Sequence, residues 1–413
     1  MHYFKSVDGY LYCEDVKAAD VCESVGTPFY LYSKRTICEH YLKLDAAFAD
    51  MKRLICYSVK SCSNVAILKT LAELGCGADI VSGGELYRAL AAGIDAKKIV
   101  YSGVGKTDQE LAEAIDAGIL TFNVESSQEA EVLSEIAGKM GKTAGVALRV
   151  NPDVDAHTHE KITTGKAENK FGIPLADALA EYKKAARLPN VKILGVDCHI
   201  GSQILTPEPY VESIAALRAL IFQLADAGIN LQYLNIGGGL GIIYQDEQPS
   251  TAANFRKEIE HLVKDLPVTL VMEPGRFISG NSGALITKVL FVKQTKNKKF
   301  VIVDSGMNDL IRPTLYGAYH AVTPVAPIGA ETQIADLVGP VCESGDFFAK
   351  DRPLPAFRRG DFVAVMSAGA YGAAMSSNYN SRPKCAEVLV DGGSFKVIRR
   401  RQTYADMIAE EIF

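Results

Sequence analysis

The chain has 413 residues, 48% hydrophobic and 23% charged, with 35 glycines and 16 prolines. This ordinary globular usage excludes a disordered, collagen-like or coiled-coil polypeptide. At ~150 residues per domain it leaves room for two or three domains, or for one barrel-sized domain with a smaller companion. Forty-four Lys and Arg against 49 Asp and Glu give a net charge of −5, and no long basic run could grip a phosphate backbone, so nucleic acid is not an expected partner. No apolar stretch approaches the ~18 residues of a membrane span, and no charged segment feeds an apolar one at the start; a cytoplasmic protein with no membrane partner is expected.

The first 35 residues read as short strands, with Thr27-Pro28-Phe29-Tyr30-Leu31-Tyr32 leading to Ser33, an N-cap for a helix through Met51. Short apolar runs then alternate with stretches of helical period. The runs 54–60, 77–81, 99–102, 119–124, 145–150, 191–199, 231–236 and 268–273 predict eight strands. Between them lie amphipathic segments such as 64–74, stopped by Gly75, and 128–140, stopped by Gly141. Eight strand–helix units over about 220 residues fit a (β/α)8 TIM-like barrel. A doubly wound open sheet fits less well, because the polar and glycine-rich clusters close strands spread through the count, not strands at one switch point. Beyond Gly280 the runs 284–294, 299–304, 362–367 and 385–397, with turn signals such as Asp391-Gly392-Gly393, predict a C-terminal all-β domain completed by the N-terminal strands. The expected division is a barrel over 36–278 and a β-rich domain made of 1–35 and 279–413.

Nine cysteines, an odd number with no C-x-x-C pair, give neither a disulfide framework nor a zinc ribbon. His157 and His159 form an H-x-H pair without the further ligands that zinc requires, so no metal is expected; a mobile loop after the fifth strand that closes over substrate is the better account of this segment.

Catalytic groups of barrels stand at the carboxyl ends of the strands. The first predicted strand ends in Tyr57-Ser58-Val59-Lys60. A lysine closing an apolar run ordinarily snorkels into solvent, but in a half-buried barrel mouth desolvation disfavours the ammonium and frees the amine to form a Schiff base. The sixth ends in Asp197-Cys198-His199-Ile200-Gly201-Ser202-Gln203. The seventh ends in Asn235-Ile236-Gly237-Gly238-Gly239-Leu240-Gly241, where phosphate cradles of barrels recur. The eighth ends in Glu273-Pro274-Gly275-Arg276. A lysine, a phosphate cradle and a carboxylate are the protein's contributions to a pyridoxal phosphate site, and His199 suits stacking on the ring.

With Ser82-Gly83-Gly84-Glu85, these motifs resemble, nearly end to end, the pyridoxal phosphate decarboxylases with an alanine-racemase-like (fold type III) barrel. Further segments resemble the branch of that family that converts meso-diaminopimelate to L-lysine and carbon dioxide, the last step of lysine biosynthesis. They are Asn151-Pro152-Asp153-Val154-Asp155-Ala156-His157-Thr158-His159, Thr164-Gly165-Lys166, Lys170-Phe171-Gly172, Ile311-Arg312-Pro313 with Tyr316, and Cys342-Glu343-Ser344-Gly345-Asp346. The resemblance implies that Lys60 carries pyridoxal 5'-phosphate, Glu273 pairs with its ring nitrogen and His199 stacks on it. Ser202, Gly237, Gly238, Gly239, Gly275 and Arg276 lie near its phosphate, with Arg276 facing substrate as the alternative. It implies that Tyr371 touches both cofactor and substrate, that Cys342 returns a proton to the product, and that Glu343 binds a substrate amino group. Cys342 and Glu343 come from the partner subunit in this family, so a homodimer with sites at its interface, to which the β-rich domain contributes, is implied. The far carboxylate of diaminopimelate calls for an arginine fork, which Arg312 supplies with Tyr316. The alternatives are decarboxylation of ornithine, arginine or carboxynorspermidine, or an inactive relative that binds a partner protein; such relatives lose the lysine or the cysteine, and here both are present.

Overall fold

The computed structural model describes residues 2–155 and 170–412. The chain divides into two compact units, one of His40–Ile242 and Gln248–Phe277, the other of Met1–Glu39, Ile243–Glu247 and Ile278–Phe413.

In the first unit eight parallel strands close on themselves: Arg53–Ser58, Gly77–Ile80, Ile99–Tyr101, Thr121–Val124, Ala144–Asn151, Val191–Asp197, Tyr233–Asn235 and Thr269–Met272. The eighth pairs with the first through Val271 opposite Leu54 and Met272 opposite Ile55, so the sheet is a barrel and not an open doubly wound array. Helix starts follow the strand ends. Asn64 accepts a hydrogen bond from the Ala66 N–H at 3.0 Å, and Ser82, Thr107, Ser126 and Thr251 cap four further helices in the same manner, each satisfying an N–H that the first turn would otherwise leave unpaired. Parallel strands thus deliver all their carboxyl ends to one rim.

Inside the barrel the character of the side chains changes along each strand. Cys56, Val100 and Val271 pack together with Leu54 and Tyr233 as an apolar plug. Two residues further on, on the same face of each strand, stand Ser58, Ser102, Glu273 and Asn235, all buried. A dry floor under a polar mouth follows directly from this two-residue step.

The second unit is built on a sheet in the order Phe347–Pro355, Thr332–Val338, Lys299–Val303, Gly283–Gln294, Phe29–Ser33, Ala386–Asp391, Ser394–Arg399. The strand Phe29–Ser33 runs antiparallel to Gly283–Gln294 and parallel to Ala386–Asp391, so a strand from the start of the chain completes a sheet otherwise made by its end. Phe29, Leu31, Ala284, Ile286, Val388 and Val390 share its core.

Three strands of this unit, Val322–Pro324, Thr332–Val338 and Phe347–Pro355, carry no apolar run that sequence reading picks out. Phe347–Pro355 is an edge strand, where Lys350, Asp351, Arg352 and Pro353 are tolerated because one side of the ladder has no neighbour to satisfy. The run 385–397 is a hairpin turning at Asp391–Ser394. Met51 lies beyond the helix Lys34–Ala47. A helix at Ala18–Val25 interrupts the short strands at the start. Among the described residues, no helix is long and apolar enough to cross a membrane.

Candidate active site

The first barrel strand stops at Ser58, and Val59–Ser61 forms a single 3-10 turn, so Lys60 stands just beyond the strand. Its Nζ lies 3.1 Å from Asp79 Oδ2, which also accepts a 2.5 Å bond from Ser58 Oγ. The lysine side chain is 38% exposed and the aspartate fully buried. The lysine thus stands beside a buried carboxylate, a neighbour that its position at the end of an apolar run does not reveal.

Across the mouth, Glu273 Oε1 accepts from Asn235 Nδ2 at 2.6 Å and from Asn123 Nδ2 at 3.2 Å. Asn123 in turn donates to Ser102 Oγ at 3.0 Å. Burial, then the neighbouring Asp79 and Asp197 carboxylates, push Glu273 well above the usual carboxylate range. Arg149 Nη1 bonds Glu125 Oε1 at 2.8 Å, and its Nε lies 4.0 Å from Asp197 Oδ2. Asp197 is pushed up to about 7 by burial, with Arg149 opposing the rise. Among the described residues, the second oxygens of Asp79 and Asp197 are buried and meet no hydrogen-bond partner, and the mouth gathers Asp79, Glu125, Asp197 and Glu273 around Lys60 and Arg149.

The glycine run after the seventh strand is a crossing of backbones. Gly237 has φ +70, and a Cβ on Gly238 would stand 2.1 Å from the Glu273 carbonyl oxygen, so neither position admits a side chain. Their N–H groups are engaged within the protein: Gly237 donates to Asn235 Oδ1 at 2.9 Å, Gly238 to His199 Nδ1 at 3.2 Å. Burial, followed by Arg149 and Lys60, holds His199 well below the usual imidazole range. The ring is neutral, its Nδ1 accepting. Arg276 Nη2 donates to Ser202 Oγ at 3.0 Å, and Gly275 packs against the side chains of Ser58 and Ser61.

In the β-rich unit, buried Arg312 opens the short helix Arg312–Tyr316, which also carries Tyr316. Thr314 Oγ1 of that helix donates to the Gly345 carbonyl, joining it to the turn that holds Cys342 and Glu343. Buried Asp346 shapes this turn by accepting from the Met307 and Val341 N–H groups, each at 2.6 Å, and the Cys342 N–H donates to Asn380 Oδ1 at 2.7 Å. Among the described cysteines Cys342 alone is exposed, and Glu343 is exposed beside it. Tyr371 has φ +57, a backbone state that a tyrosine adopts only where its surroundings impose it.

A family profile described as "Pyridoxal-dependent decarboxylase, pyridoxal binding domain" matches residues 34–280. The chain belongs to the pyridoxal-dependent decarboxylases. Within them it groups with the diaminopimelate decarboxylases: it is 50% identical over 409 residues to that of Aquifex aeolicus, covering 99% of this chain and 97% of the relative. The crystal structure of the Helicobacter pylori diaminopimelate decarboxylase complexed with L-lysine superposes with a TM-score of 0.93 at 42% identity, covering 95% of this chain and 99% of that one. The M. jannaschii enzyme in co-complex with L-lysine gives 0.94 at 38% identity, covering 99% and 98%.

The cofactor of this pyridoxal-dependent decarboxylase is pyridoxal phosphate, and the barrel mouth fits it on three counts. An amine stands at the rim; buried carboxylates crowd together in the mouth, a setting that suits a cationic ring nitrogen; and a bed without side chains lies beside Ser202 and Arg276. Sequence reading missed Asp79, Asn123, Glu125 and Arg149 of the barrel, and Tyr244 and His320 of the other unit. The only available signal for the barrel set was a lone polar residue in an apolar strand. Residues 156–169, with the H-x-H pair, Thr164-Gly165-Lys166 and most of the expected closing loop, lie outside the described residues. Among the described residues no cluster suits a metal ion.

Proposed function

We propose that this decarboxylase converts meso-2,6-diaminopimelate to L-lysine and carbon dioxide in the last step of lysine biosynthesis, with the residue roles that follow. The observation that carries the site assignment is that Lys60, His199, Gly237–Gly239 and Glu273 follow strands that all end on one rim of a closed parallel barrel.

Bound pyridoxal phosphate supplies a protonated aromatic ring that accepts the electron pair left when the bond between Cα and the departing carboxylate breaks. Lys60 Nζ would supply the amine that holds the aldehyde, and Asp79 keeps that amine in place. Glu273, oriented by Asn235 and Asn123, presents its carboxylate to the ring nitrogen. His199, kept neutral and turned by Gly238, offers a flat face for stacking. Ser202, Gly237, Gly238, Gly239, Gly275 and Arg276 bound the phosphate; the Arg276–Ser202 bond favours this role for Arg276 over a substrate contact.

Arg312 takes the distal carboxylate of the substrate, with Tyr316 and Tyr371 beside it. Cys342 Sγ returns the proton that replaces carbon dioxide on Cα, and Glu343 binds a substrate amino group. Exposure of both on their own chain supports a homodimer in which each serves its partner. A thiol used this way has to stay reduced, which supports a cytoplasmic setting.

Carbon dioxide release from diaminopimelate stereoisomers, with and without added cofactor, tests the reading. Cofactor-dependent release from the meso isomer is expected, and preferential turnover of ornithine or arginine overturns it.

A further inference from the structure

Arg312 is the hinge of the substrate assignment above, and its own setting shows what holds it. Its Nη1 lies 2.8 Å from His320 Nε2, and His320 Nδ1 lies 2.8 Å from the Met366 carbonyl oxygen. A guanidinium has only donors and a carbonyl only accepts, so the tautomer is determined: His320 Nε2 receives from Arg312, and Nδ1–H donates to Met366. The ring is neutral, since a protonated imidazole has no lone pair for Arg312. It is also fully buried. The guanidinium carbon sits 4.6 Å from the Tyr244 ring centroid, and the Tyr244 and His320 rings meet edge to face at 5.6 Å. One contact fixes the guanidinium in its plane and the other fixes the plane itself. The backbone of His320 is held as well, its carbonyl accepting from Arg352 Nη1.

We infer that His320 is a positioning residue for substrate selection: as a neutral acceptor locked by the Met366 carbonyl, it sets the direction in which Arg312 meets a distal carboxylate. The inference rests on the reading that Arg312 binds that carboxylate. A neutral imidazole acceptor directs the guanidinium without itself cancelling the positive charge, as a carboxylate in the same place would. A substrate lacking the distal carboxylate gains nothing from that orientation, so the effect belongs to KM for the diacid.

Two variants separate positioning from structure. In His320→Asn the short amide reproduces the bond to Met366 but does not reach Arg312; in His320→Gln the longer one reaches Arg312. In the cofactor-loaded enzyme, His320→Asn is expected to raise KM for meso-diaminopimelate by about tenfold to a hundredfold, with kcat within about threefold and with selectivity for diaminopimelate over ornithine reduced accordingly. His320→Gln restores KM to within a few-fold. Equal losses of kcat in both variants, loss of folded protein in both, or an unchanged KM in His320→Asn overturns the inference. Arg312→Lys measured alongside tests the underlying reading: if it too leaves KM and selectivity unchanged, the assignment of Arg312 has failed. If it alone destroys them, that assignment stands and the role of His320 falls.

Discussion

Asp79 Oδ2 accepts from Lys60 Nζ and from Ser58 Oγ at once, at 3.1 and 2.5 Å, while the aspartate itself is fully buried. A single buried oxygen thus fixes the Lys60 amine to the end of the strand before it and to the strand beside it. Asp79→Asn keeps a side chain of the same shape between Ser58 and Lys60 but removes the charged acceptor that holds the amine. Cofactor capture, followed by visible absorbance in cofactor-free protein, is expected to weaken by about tenfold, the scale of losing one charge-assisted hydrogen bond. Borohydride treatment of the loaded enzyme is expected to fix the cofactor mass onto Lys60, and Lys60→Ala to abolish the label.

Glu273→Gln keeps a hydrogen-bonding side chain between Asn235 and Asn123 but cannot carry the negative charge. The expected result is a folded protein that still binds cofactor and loses about 100-fold or more in kcat, the scale of removing a preorganised electrostatic group. Steady-state carbon dioxide release measures it, and a fall below tenfold would contradict the role.

Asp197 provides a test in pH and stability together. Its folded value is raised to about 7 from an ordinary value near 4, so between those limits the folded state binds more protons than the unfolded one. Stability is fully present below about pH 4 and falls as pH rises towards 7. The melting temperature of cofactor-free protein should decline across that window, and Asp197→Asn should flatten the decline by at least ~2 °C.

Arg149 faces Glu125 and Asp197 in the same mouth. Arg149→Met leaves both acids buried without their cation, which costs about 3–5 kcal/mol where one partner of a buried pair is removed. Urea denaturation of the cofactor-free protein reads this loss, and a change under 1 kcal/mol would show that the pair contributes little.

Mixing two inactive variants tests the shared site. If Lys60 acts from one chain and Cys342 from its partner, Lys60→Ala and Cys342→Ala proteins dissociated and reassociated together should recover about a quarter of wild-type activity, because half the dimers are mixed and each has one intact site. No recovery from demonstrably mixed dimers would place both residues in the same chain's site.

The barrel was legible because its strands are apolar runs that switch period to helical segments with polar caps, and Asn64, Ser82 and Ser126 cap as their residue types imply. Lys60 and Glu273 were legible because each closes a run. Asp79, Asn123 and Arg149 were not: a single polar residue in a strand points to core or mouth only once the closure of the sheet is known. The link from Arg312 to Tyr244 and His320 escaped for a different reason, since Tyr244 stands nearly 70 positions away and no local pattern joins them. Thr332–Val338 and Phe347–Pro355 were hidden by the charge that edge and half-exposed strands carry.

The place of Phe29–Ser33 between Gly283–Gln294 and Ala386–Asp391 has a consequence for biosynthesis. Tyr32 and Glu387, hydrogen-bonded at 3.0 Å, are 355 positions apart, so the ribosome releases one of this strand's two neighbours only when nearly all of the polypeptide has been made. The parallel cylinder, whose strands lie between Arg53 and Met272, emerges well before that. Translation therefore delivers the catalytic rim first, and a chain cut short before Ala386 would keep an unpaired ribbon open to aggregation.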